Sequence, residues 1–277
     1  MPRYEYPSLR QGLIGAWCPS LGASGRLLID RSGRGSHGTI SGTGYLWERN
    51  LSITGASTFA TTYYRPETDF ERTSSFSVSA WIFATTIAER TIFTTSPNVD
   101  GAGWEFQISP AGLLRFRLTS IAGSNTLRAS TSGSFTLAAG TFYHVAATYP
   151  GTSSPADVGL FVNGAKYATN SDLSTLTSST VSGSALRFFS RSNNTTQWLG
   201  KVDDLRIYNR LVTPAEISLL ASRPGIGLSP LPDRAAGLPR KLSVNVGGTW
   251  RAADAYVNVG GAWKLAQASV NVAGTWR

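Results

Sequence analysis

The side chains that most often carry out catalysis are scarce in this sequence. It contains two histidines, His37 and His144, and one cysteine, Cys18. A Ser-His-Asp site would need one of these histidines, and the sequence has no Gly-x-Ser-x-Gly turn for a nucleophilic serine. Zinc is also disfavoured, because its sites take three or four Cys, His or carboxylate ligands. The residue types therefore favour a protein that binds over one that catalyses.

Carboxylates are the remaining candidates for catalysis. Glycoside hydrolysis needs two of them in a matched pair, one as the acid and one as the nucleophile or base. Glu105 stands alone between Trp104 and Phe106. Asp203 and Asp204 are adjacent, and neighbouring residues of a regular strand face opposite sides. Two catalytic carboxylates can also lie on one strand in the spacing Glu-x-Asp-x-x-Glu, and the sequence lacks such a segment. We therefore expect no enzyme activity.

Aromatic residues with polar neighbours suggest a different chemistry, the binding of a sugar. Trp104 and Trp198 are candidates for the aromatic platform, with Arg191 and Asn194 in the loop before Trp198. The alternative is that these rings pack in a core or at its rim, since aromatic side chains dominate protein interiors. The sequence leaves both interpretations open.

The elements that must position these residues are β-strands. The chain of 277 residues is 41% hydrophobic and only 15% charged, and it contains 29 glycines. Apolar side chains alternate with polar ones in 76–82, 104–108 and 114–118, and Asn163-Gly164 separates two further short runs. Such alternation predicts strands with one buried face, and Asn-Gly predicts a tight hairpin. The sequence therefore predicts an all-β fold, a two-sheet antiparallel sandwich.

One short helix is also predicted. Thr213 is suited to the N-cap, Pro214 to the first helical position, and Glu216 to the reciprocal position of a capping box. Pro224-Gly225 marks the end of the helical segment. We expect this helix to lie against the sandwich.

The end of the chain is an internal repeat. Segments 244–251, 257–264 and 270–277 start 13 residues apart, and each passes from Val-Asn-Val through two small residues to a tryptophan and a cation. Each segment predicts a small β-hairpin, and a lone hairpin is at best marginally stable. We therefore expect the repeats to associate, within or between chains, for anchoring or oligomerisation. The residues expected to carry this role are Trp250, Trp263 and Trp276.

Five segments resemble, in order, those of laminin-G-like, concanavalin A-like domains: Phe-Ser-Val-Ser-Ala-Trp-Ile at 76–82, then 142–149, 160–164, 200–210 and 213–217. The resemblance covers roughly residues 10–222. It implies a jelly roll of two antiparallel sheets, in a family that mostly binds glycans or proteins and often carries a structural calcium. Asp30 and Asp203 resemble the family's acidic positions, so the resemblance implies calcium there. The alternative is that Asp30 caps its turn and Asp203 accepts hydrogen bonds from backbone amides.

The repeats resemble those that end the virion structural proteins of tailed bacteriophages. This resemblance implies a virion component, such as a capsid decoration, head-fibre or tail-fibre module, that displays a lectin-like domain. Its partners would be other virion proteins or further copies of itself, for which a trimer fits a fibre, and a glycan would be its ligand. The alternative is a bacterial carbohydrate-binding or adhesion module, and a glycoside hydrolase is the weakest candidate.

Together these features divide the chain into an N-terminal arm (1–10), a jelly roll (11–222), a Pro/Gly/Arg-rich linker (223–243) and the three repeats (244–277). One cation per hairpin is too sparse to indicate nucleic-acid binding. No apolar run approaches the length of about 18 residues that a membrane span requires. The first residues lack the basic-then-apolar run of a secretory signal, so we expect synthesis in the host cytoplasm and assembly into the virion.

Overall fold

The computed structural model describes residues 4–55, 57–97, 101–121, 124–132, 135–191 and 195–229, and strand segments between residues 242 and 276. The chain divides into two compact units. One is Tyr4–Pro230, and the other combines Met1–Arg3 with Leu231–Arg277. The first unit thus extends beyond the predicted jelly roll at both ends.

The unit Tyr4–Pro230 is built from short strands, as the period-two patterning predicts. In chain order these are β1 (Leu13–Trp17), β2 (Leu27–Leu28), β3 (Gly38–Ser41), β4 (Tyr45–Trp47), β5 (Leu51–Ile53), β6 (Phe59–Thr61), β7 (Phe76–Ala84), β8 (Arg90–Thr94), β9 (Gly103–Ile108), β10 (Leu114–Ile121), β11 (Asn125–Thr131), β12 (Phe142–Tyr149), β13 (Gly159–Val162), β14 (Ala165–Tyr167), β15 (Thr169–Ser174), β16 (Arg187–Phe188) and β17 (Gly200–Tyr208).

These strands form two sheets. The eight-stranded sheet has the order β14-β13-β12-β7-β17-β5-β4, with β1 also paired to β17. The nine-stranded sheet has the order β15-β11-β10-β9-β8-β16-β6-β3-β2. The central pairings of each sheet are antiparallel, as are those at its edges. The predicted all-β, two-sheet antiparallel sandwich is therefore confirmed.

The main core lies between the sheets and is rich in aromatic rings. Phe76, Val78, Ala80 and Ile82 are all buried, which confirms the face predicted from their alternation. The Phe76 ring stacks on Phe70 with centroids 4.0 Å apart. Burial of each large apolar side chain in such a core contributes about 2 kcal/mol to stability.

The helix α1 (Pro214–Leu220) begins with the predicted capping box. The Thr213 side chain accepts a hydrogen bond from the backbone N–H of Glu216, and the Glu216 carboxylate accepts one from the backbone of Thr213. Single-turn 3-10 helices occur at Pro7–Arg10, Pro19–Leu21, Pro66–Thr68 and Pro155–Asp157. In the described part of the chain, no helix is both long and apolar enough to cross a membrane.

A second apolar cluster lies where α1 packs on the eight-stranded sheet. Ile217 and Leu220 of the helix contact Ala146 and Phe161, whose side chains face away from the main core. Both ends of the unit join this cluster, through Leu9, Ile226 and Leu228. The outer face of this sheet is therefore covered in one region, and its remaining part is open.

The predicted hairpins are present. Strands β9 and β10 pair as expected, and β13 and β14 are joined by Asn163 and Gly164, with φ angles of 49° and 83°. Two positive φ angles are the signature of the tight turn that Asn-Gly favours. Local turn chemistry was thus sufficient to place these pairs of strands.

The repeats also form the predicted hairpins. Strands β18 (Leu242–Val246) and β19 (Thr249–Ala253) pair, as do β20 (Tyr256–Val259) with β21 (Ala262–Leu265), and β22 (Asn271–Val272) with β23 (Thr275–Trp276). In each pair a tryptophan stands opposite an asparagine: Trp250 opposite Asn245, Trp263 opposite Asn258 and Trp276 opposite Asn271.

Candidate functional site

Trp104 and Trp198, the predicted sugar platforms, lie in the main core. Both side chains are 0% exposed. Trp104 also donates a hydrogen bond from Nε1 to the carbonyl of Thr68 at 2.8 Å. A ring without exposed surface has no face on which a sugar can stack, so the structure favours the packing interpretation that the sequence left open.

Arg191 is buried beside Trp198's loop and is paired with a carboxylate. Its guanidinium contacts Glu105 through Nε and Nη2 at 2.9 to 3.2 Å. Both side chains are 5% exposed or less. Arg191 therefore neutralises the isolated carboxylate of Glu105, which explains how that carboxylate tolerates burial. Asn194, the fourth predicted binding residue, lies outside the described residues.

An open groove of about 470 Å³ lies on the uncovered part of the eight-stranded sheet. We call it the Trp81 groove. Trp81 points away from the core because its neighbours Ala80 and Ile82 point into it. The neighbouring strands place His144 on one side of Trp81 and Asp203 on the other. The residues that line the groove are Ser20, Arg49, Asn50, Trp81, Phe142, Asp203 and Pro224.

The aromatic rings of the groove are held in place by their neighbours. The Trp81 indole donates from Nε1 to the carbonyl of Leu220 at 3.3 Å, and its ring meets His144 edge-on at 5.7 Å. Phe142 contacts Phe83 with centroids 5.1 Å apart and remains 41% exposed. The groove thus offers apolar ring surface that is fixed in orientation yet accessible to a ligand.

Asp203 supplies the negative charge of the groove. Its Oδ1 accepts hydrogen bonds from the backbone N–H of Asp204 at 2.8 Å and of Ser20 at 3.2 Å, and from Cys18 Sγ at 3.4 Å. Burial raises the pKa of the Asp203 carboxyl, although these hydrogen bonds act in the opposite direction. The same burial, together with Asp204 and Asp203, raises the pKa of the Cys18 thiol. The second carboxylate oxygen of Asp203 takes part in none of these bonds.

Asp204 has a different role from its neighbour. A β-bulge interrupts the pairing of β17 between Asp203 and Arg206, and Asp204 adopts a positive φ of 44°. Its carboxylate binds the buried Arg206 at 2.7 and 2.8 Å and accepts a hydrogen bond from Gly225 at 2.8 Å. The two aspartates are therefore separated by a β-bulge and not by the regular alternation that the sequence predicts. The Asp204 carboxylate holds the backbone at Gly225, near the end of the unit.

Asp30 and Asp203 each accept backbone hydrogen bonds near the end of β1, Asp30 from Ala16 within the strand and Asp203 from Ser20 just after it. Asp30 accepts four hydrogen bonds, from the backbone of Ala16, Ser32 and Ser36 and from the Ser32 hydroxyl. Both of its carboxylate oxygens are used, so calcium would have to displace these donors. Among the described residues, no group of three or more His, Cys, Asp or Glu could hold a metal. Calcium at these positions remains a prediction, which melting in Ca²⁺ and in chelator would test.

The alternation of apolar residues in the sequence already predicts that Trp81 faces away from the core. Phe76, Val78, Ala80 and Ile82 define the buried face of their strand, so a tryptophan at 81 must face outward. Trp104 shares the apolar face of its own strand with Phe106 and Ile108, which predicts burial. The phase of each tryptophan within its strand, rather than its polar neighbours, distinguishes the two cases.

Comparison with known proteins agrees with this architecture. The sequence profile described as the concanavalin A-like lectin/glucanase superfamily, of the laminin G type, matches residues 55–218. The chain belongs to this superfamily. Its fold is therefore lectin-like, and the predicted laminin-G-like, concanavalin A-like domain is confirmed. No curated protein sequence matches the chain.

Solved structures share the fold at low sequence identity. The binding domain of Paraclostridial Mosquitocidal Protein 1 is 18% identical with a TM-score of 0.54, over 77% of this chain and 52% of that one. Trypanosoma rangeli sialidase is 16% identical with a TM-score of 0.54, over 76% of this chain and 32% of that one. A botulinum neurotoxin type C structure, whose description concerns interaction with two ganglioside molecules, is 14% identical with a TM-score of 0.54, over 78% and 52%. The chain spans about half the length of the toxin chains and a third of the sialidase, and the likeness is one of fold.

Proposed function

We propose that the unit Tyr4–Pro230 binds a glycan in the Trp81 groove. The observation that carries the proposal is the combination, in one open groove, of the accessible Phe142 ring with Trp81, a carboxylate and an arginine. Ligand sites of this kind typically measure about 300–1,000 Å³ and combine apolar walls with a few polar groups. The lectin description of the superfamily and the ganglioside interaction of the similar neurotoxin support a sugar as the ligand.

Each group has a task that suits a sugar. The apolar face of a pyranose ring stacks on Phe142 and on the exposed part of Trp81. Asp203 accepts hydrogen bonds from sugar hydroxyls, while the exposed Arg49 donates to ring or hydroxyl oxygens. Asp203 is the single carboxylate among the described residues that line the groove. Hydrolysis of a glycosidic bond needs two, so the groove supports binding and not catalysis.

The test is glycan binding by wild type and by Phe142→Ala. A glycan array identifies a ligand, and titration calorimetry then measures its affinity. Loss of the stacking surface should weaken binding about tenfold. Asp203→Asn should also weaken binding, because the amide accepts fewer hydrogen bonds from the sugar hydroxyls than the carboxylate does.

The matched control is Tyr63→Ala, which removes an aromatic ring that is 88% exposed and lies outside the groove. This variant should bind as wild type does. If no glycan is retained by the wild-type protein, or if Phe142→Ala binds with unchanged affinity, the groove is not a sugar site.

We further propose that the protein is a virion component that displays the lectin-like unit and is anchored or oligomerised through its repeats. The three hairpins, with a tryptophan at the same register in each, support this role. A bacterial adhesion module would have the same groove but would be recovered from cell envelopes. Mass spectrometry of purified phage particles distinguishes them, and absence of the chain from such particles would overturn the virion role.

A further inference from the structure

The surface that begins in the Trp81 groove continues across the eight-stranded sheet. In the strand register, Phe142 of β12 lies opposite Phe83 of β7, and Phe83 lies opposite Lys201 of β17. Lys201 in turn lies opposite Ser52 of β5, which lies opposite Leu46 of β4. We call these five residues the lateral row. It starts in the groove, because Phe142 belongs to both.

The lateral row points away from the main core. Residues directly opposite each other in a sheet share a face, and the adjacent residues Leu51, Ile82 and Val202 are buried in the core. The row crosses five strands, so at the usual strand spacing it extends over about 19 Å. Trp81 and Asp203 lie two residues along the same strands, about 7 Å to one side. The groove and the row therefore form one surface.

Apolar surface lies at both ends of the row. Leu46 is 56% exposed at one end. At the other end Phe142 is exposed and contacts the half-buried Phe83. Single exposed apolar residues are ordinary on a protein surface, whereas apolar surface in line with a groove indicates a contact region for a ligand. The apolar face of a sugar ring can pack on either end.

A charged pair lies between these ends. Lys201 donates from Nζ to Glu48 Oε2 at 2.7 Å, and the two side chains are 33% and 46% exposed. An ammonium group has three donors, and this ion pair uses one of them. The pair can therefore donate to a sugar hydroxyl and also accept from one. Exposed pairs of this kind contribute little to stability, so either residue can be replaced without unfolding the protein.

The charges of this surface favour an uncharged ligand. Arg49 and Asp203 line the groove, and Lys201 is paired with Glu48 in the row. These are two cations and two anions, so they give no net attraction to a ligand of either sign. Hydroxyl groups, in contrast, can use both kinds of partner because each hydroxyl donates and accepts.

We propose that the protein binds a linear, uncharged oligosaccharide whose chain runs from the Trp81 groove along the lateral row to Leu46. One sugar unit occupies the groove, and later units contact the pair of Lys201 and Glu48 and pack on Leu46. The row is longer than a single sugar unit, so affinity should increase with chain length. This inference rests on the proposed sugar site in the groove and adds the class of glycan and a second region of contact.

The experiment measures, by titration calorimetry on the full-length protein, the affinities for cellohexaose and maltohexaose and for their disaccharides, cellobiose and maltose. We expect at least one hexasaccharide to bind about tenfold more tightly than its own disaccharide. Its affinity should not change with salt concentration, because the ligand carries no charge. Leu46→Ala and Lys201→Gln should each weaken binding of that hexasaccharide about fivefold and leave binding of the disaccharide unchanged. A merely structural role would change both affinities alike.

The matched controls are Leu211→Ala and Lys166→Gln, which replace an exposed leucine and an exposed lysine outside the row. Both should bind the hexasaccharide as wild type does, and thermal melts check that every variant is folded. The proposal is overturned if neither hexasaccharide binds more tightly than its disaccharide, or if Leu46→Ala and Lys201→Gln both bind it with unchanged affinity. If Phe142→Ala then still weakens disaccharide binding, the groove is a sugar site without the lateral row. Hexasaccharide binding that is unaffected by Phe142→Ala overturns the sugar site in the groove itself.

Discussion

His144 shows how a single residue next to the groove affects behaviour in solution. Its side chain meets the ring of Trp81, is 1% exposed, and has an Nδ1 atom without a hydrogen-bond partner among the described residues. Burial, followed by the positive charge of Arg206, lowers the pKa of His144 to about 3. The folded protein therefore keeps this imidazole neutral well into the acidic range.

We expect the stability of the protein to fall below about pH 6.5 because of His144. The unfolded chain protonates this residue at about pH 6.5, whereas the folded state resists protonation down to about pH 3. Between these values the unfolded state binds more protons, so the stabilisation is complete above pH 6.5 and is lost as the pH falls. The loss amounts to about 2 kcal/mol at pH 5.

Urea denaturation at pH 7.5 and pH 5 measures this effect. In His144→Leu, the difference in unfolding free energy between the two pH values should shrink by about 2 kcal/mol relative to wild type. The comparison with wild type matters because the raised pKa of Asp203 contributes with the opposite sign. An undiminished pH dependence in the variant would show that other groups cause it.

For single residues, the sequence predicts the direction of a side chain when that direction depends on one strand alone. The outward direction of Trp81 follows from alternation, and so does the burial of Trp104. The residues that surround Trp81 do not follow from alternation. Asn50, Phe142 and Asp203 come from distant parts of the chain, so their proximity can be predicted only from the strand order.

Among the elements, β17 is the strand that brings the groove and the second apolar cluster together. Its first residue, Gly200, has a φ of 138°, and a Cβ there would lie 1.9 Å from the carbonyl oxygen of Phe83. Since that oxygen belongs to the backbone of the adjacent strand, it cannot move aside without disturbing the pairing of the two strands. Only glycine fits the close approach of β17 to β7 at this point.

We therefore expect Gly200→Ala to destabilise the protein by on the order of 3 kcal/mol. Thermal or chemical denaturation measures the loss. The matched control is Gly183→Ala, at a φ of 68° with no atom within 4 Å of the added Cβ. It should cost only about 1 kcal/mol, the ordinary penalty for a left-handed residue. Equal losses in the two variants would mean that the contact with Phe83 is unimportant.

Element by element, the signals that succeeded were local ones. The capping box of α1 and the Asn163-Gly164 turn each involve residues within a few positions of one another, and both are present as predicted. The bulge at Asp204 was missed because it depends on a partner 21 residues away, the backbone of Gly225. Sheet order was likewise available only through the family resemblance, since non-local pairing leaves no local pattern.

For the molecule as a whole, the two ends of the unit Tyr4–Pro230 stabilise the sandwich together. Leu9 from one end and Ile226 and Leu228 from the other are buried in the second apolar cluster. Arg206 also donates to the carbonyl of Ile226 at 2.7 Å. These contacts lie outside the predicted boundaries of the jelly roll, 11–222.

A fragment of residues 11–222 should therefore be less stable than one of residues 4–230. Each of these three buried aliphatic side chains contributes about 2 kcal/mol, so we expect the shorter fragment to lose roughly 6 kcal/mol. Urea denaturation of both fragments measures the difference, with the full-length chain as the reference for the longer one. Equal midpoints would show that the terminal segments are dispensable.

The C-terminal repeats are the part of the molecule that we propose for attachment. Each hairpin has arms of two to five residues, which is too small for independent stability, so the repeats should be stable only in association. The same register places Trp250, Trp263 and Trp276 at equivalent positions, as a shared interface requires. Deletion of residues 240–277 should leave the unit Tyr4–Pro230 folded, because this unit is compact by itself and has its own apolar clusters.

We expect this deletion to abolish self-association, measured by analytical ultracentrifugation, and incorporation into particles, measured by mass spectrometry. Circular dichroism should still report the β-rich spectrum of the sandwich. A full-length variant with all three tryptophans replaced by alanine separates the loss of aromatic contacts from the loss of chain length, and it should behave as the deletion does. If the truncated chain still associates and is incorporated normally, the repeats are not the anchor, and residues 1–10 become the segment to delete next.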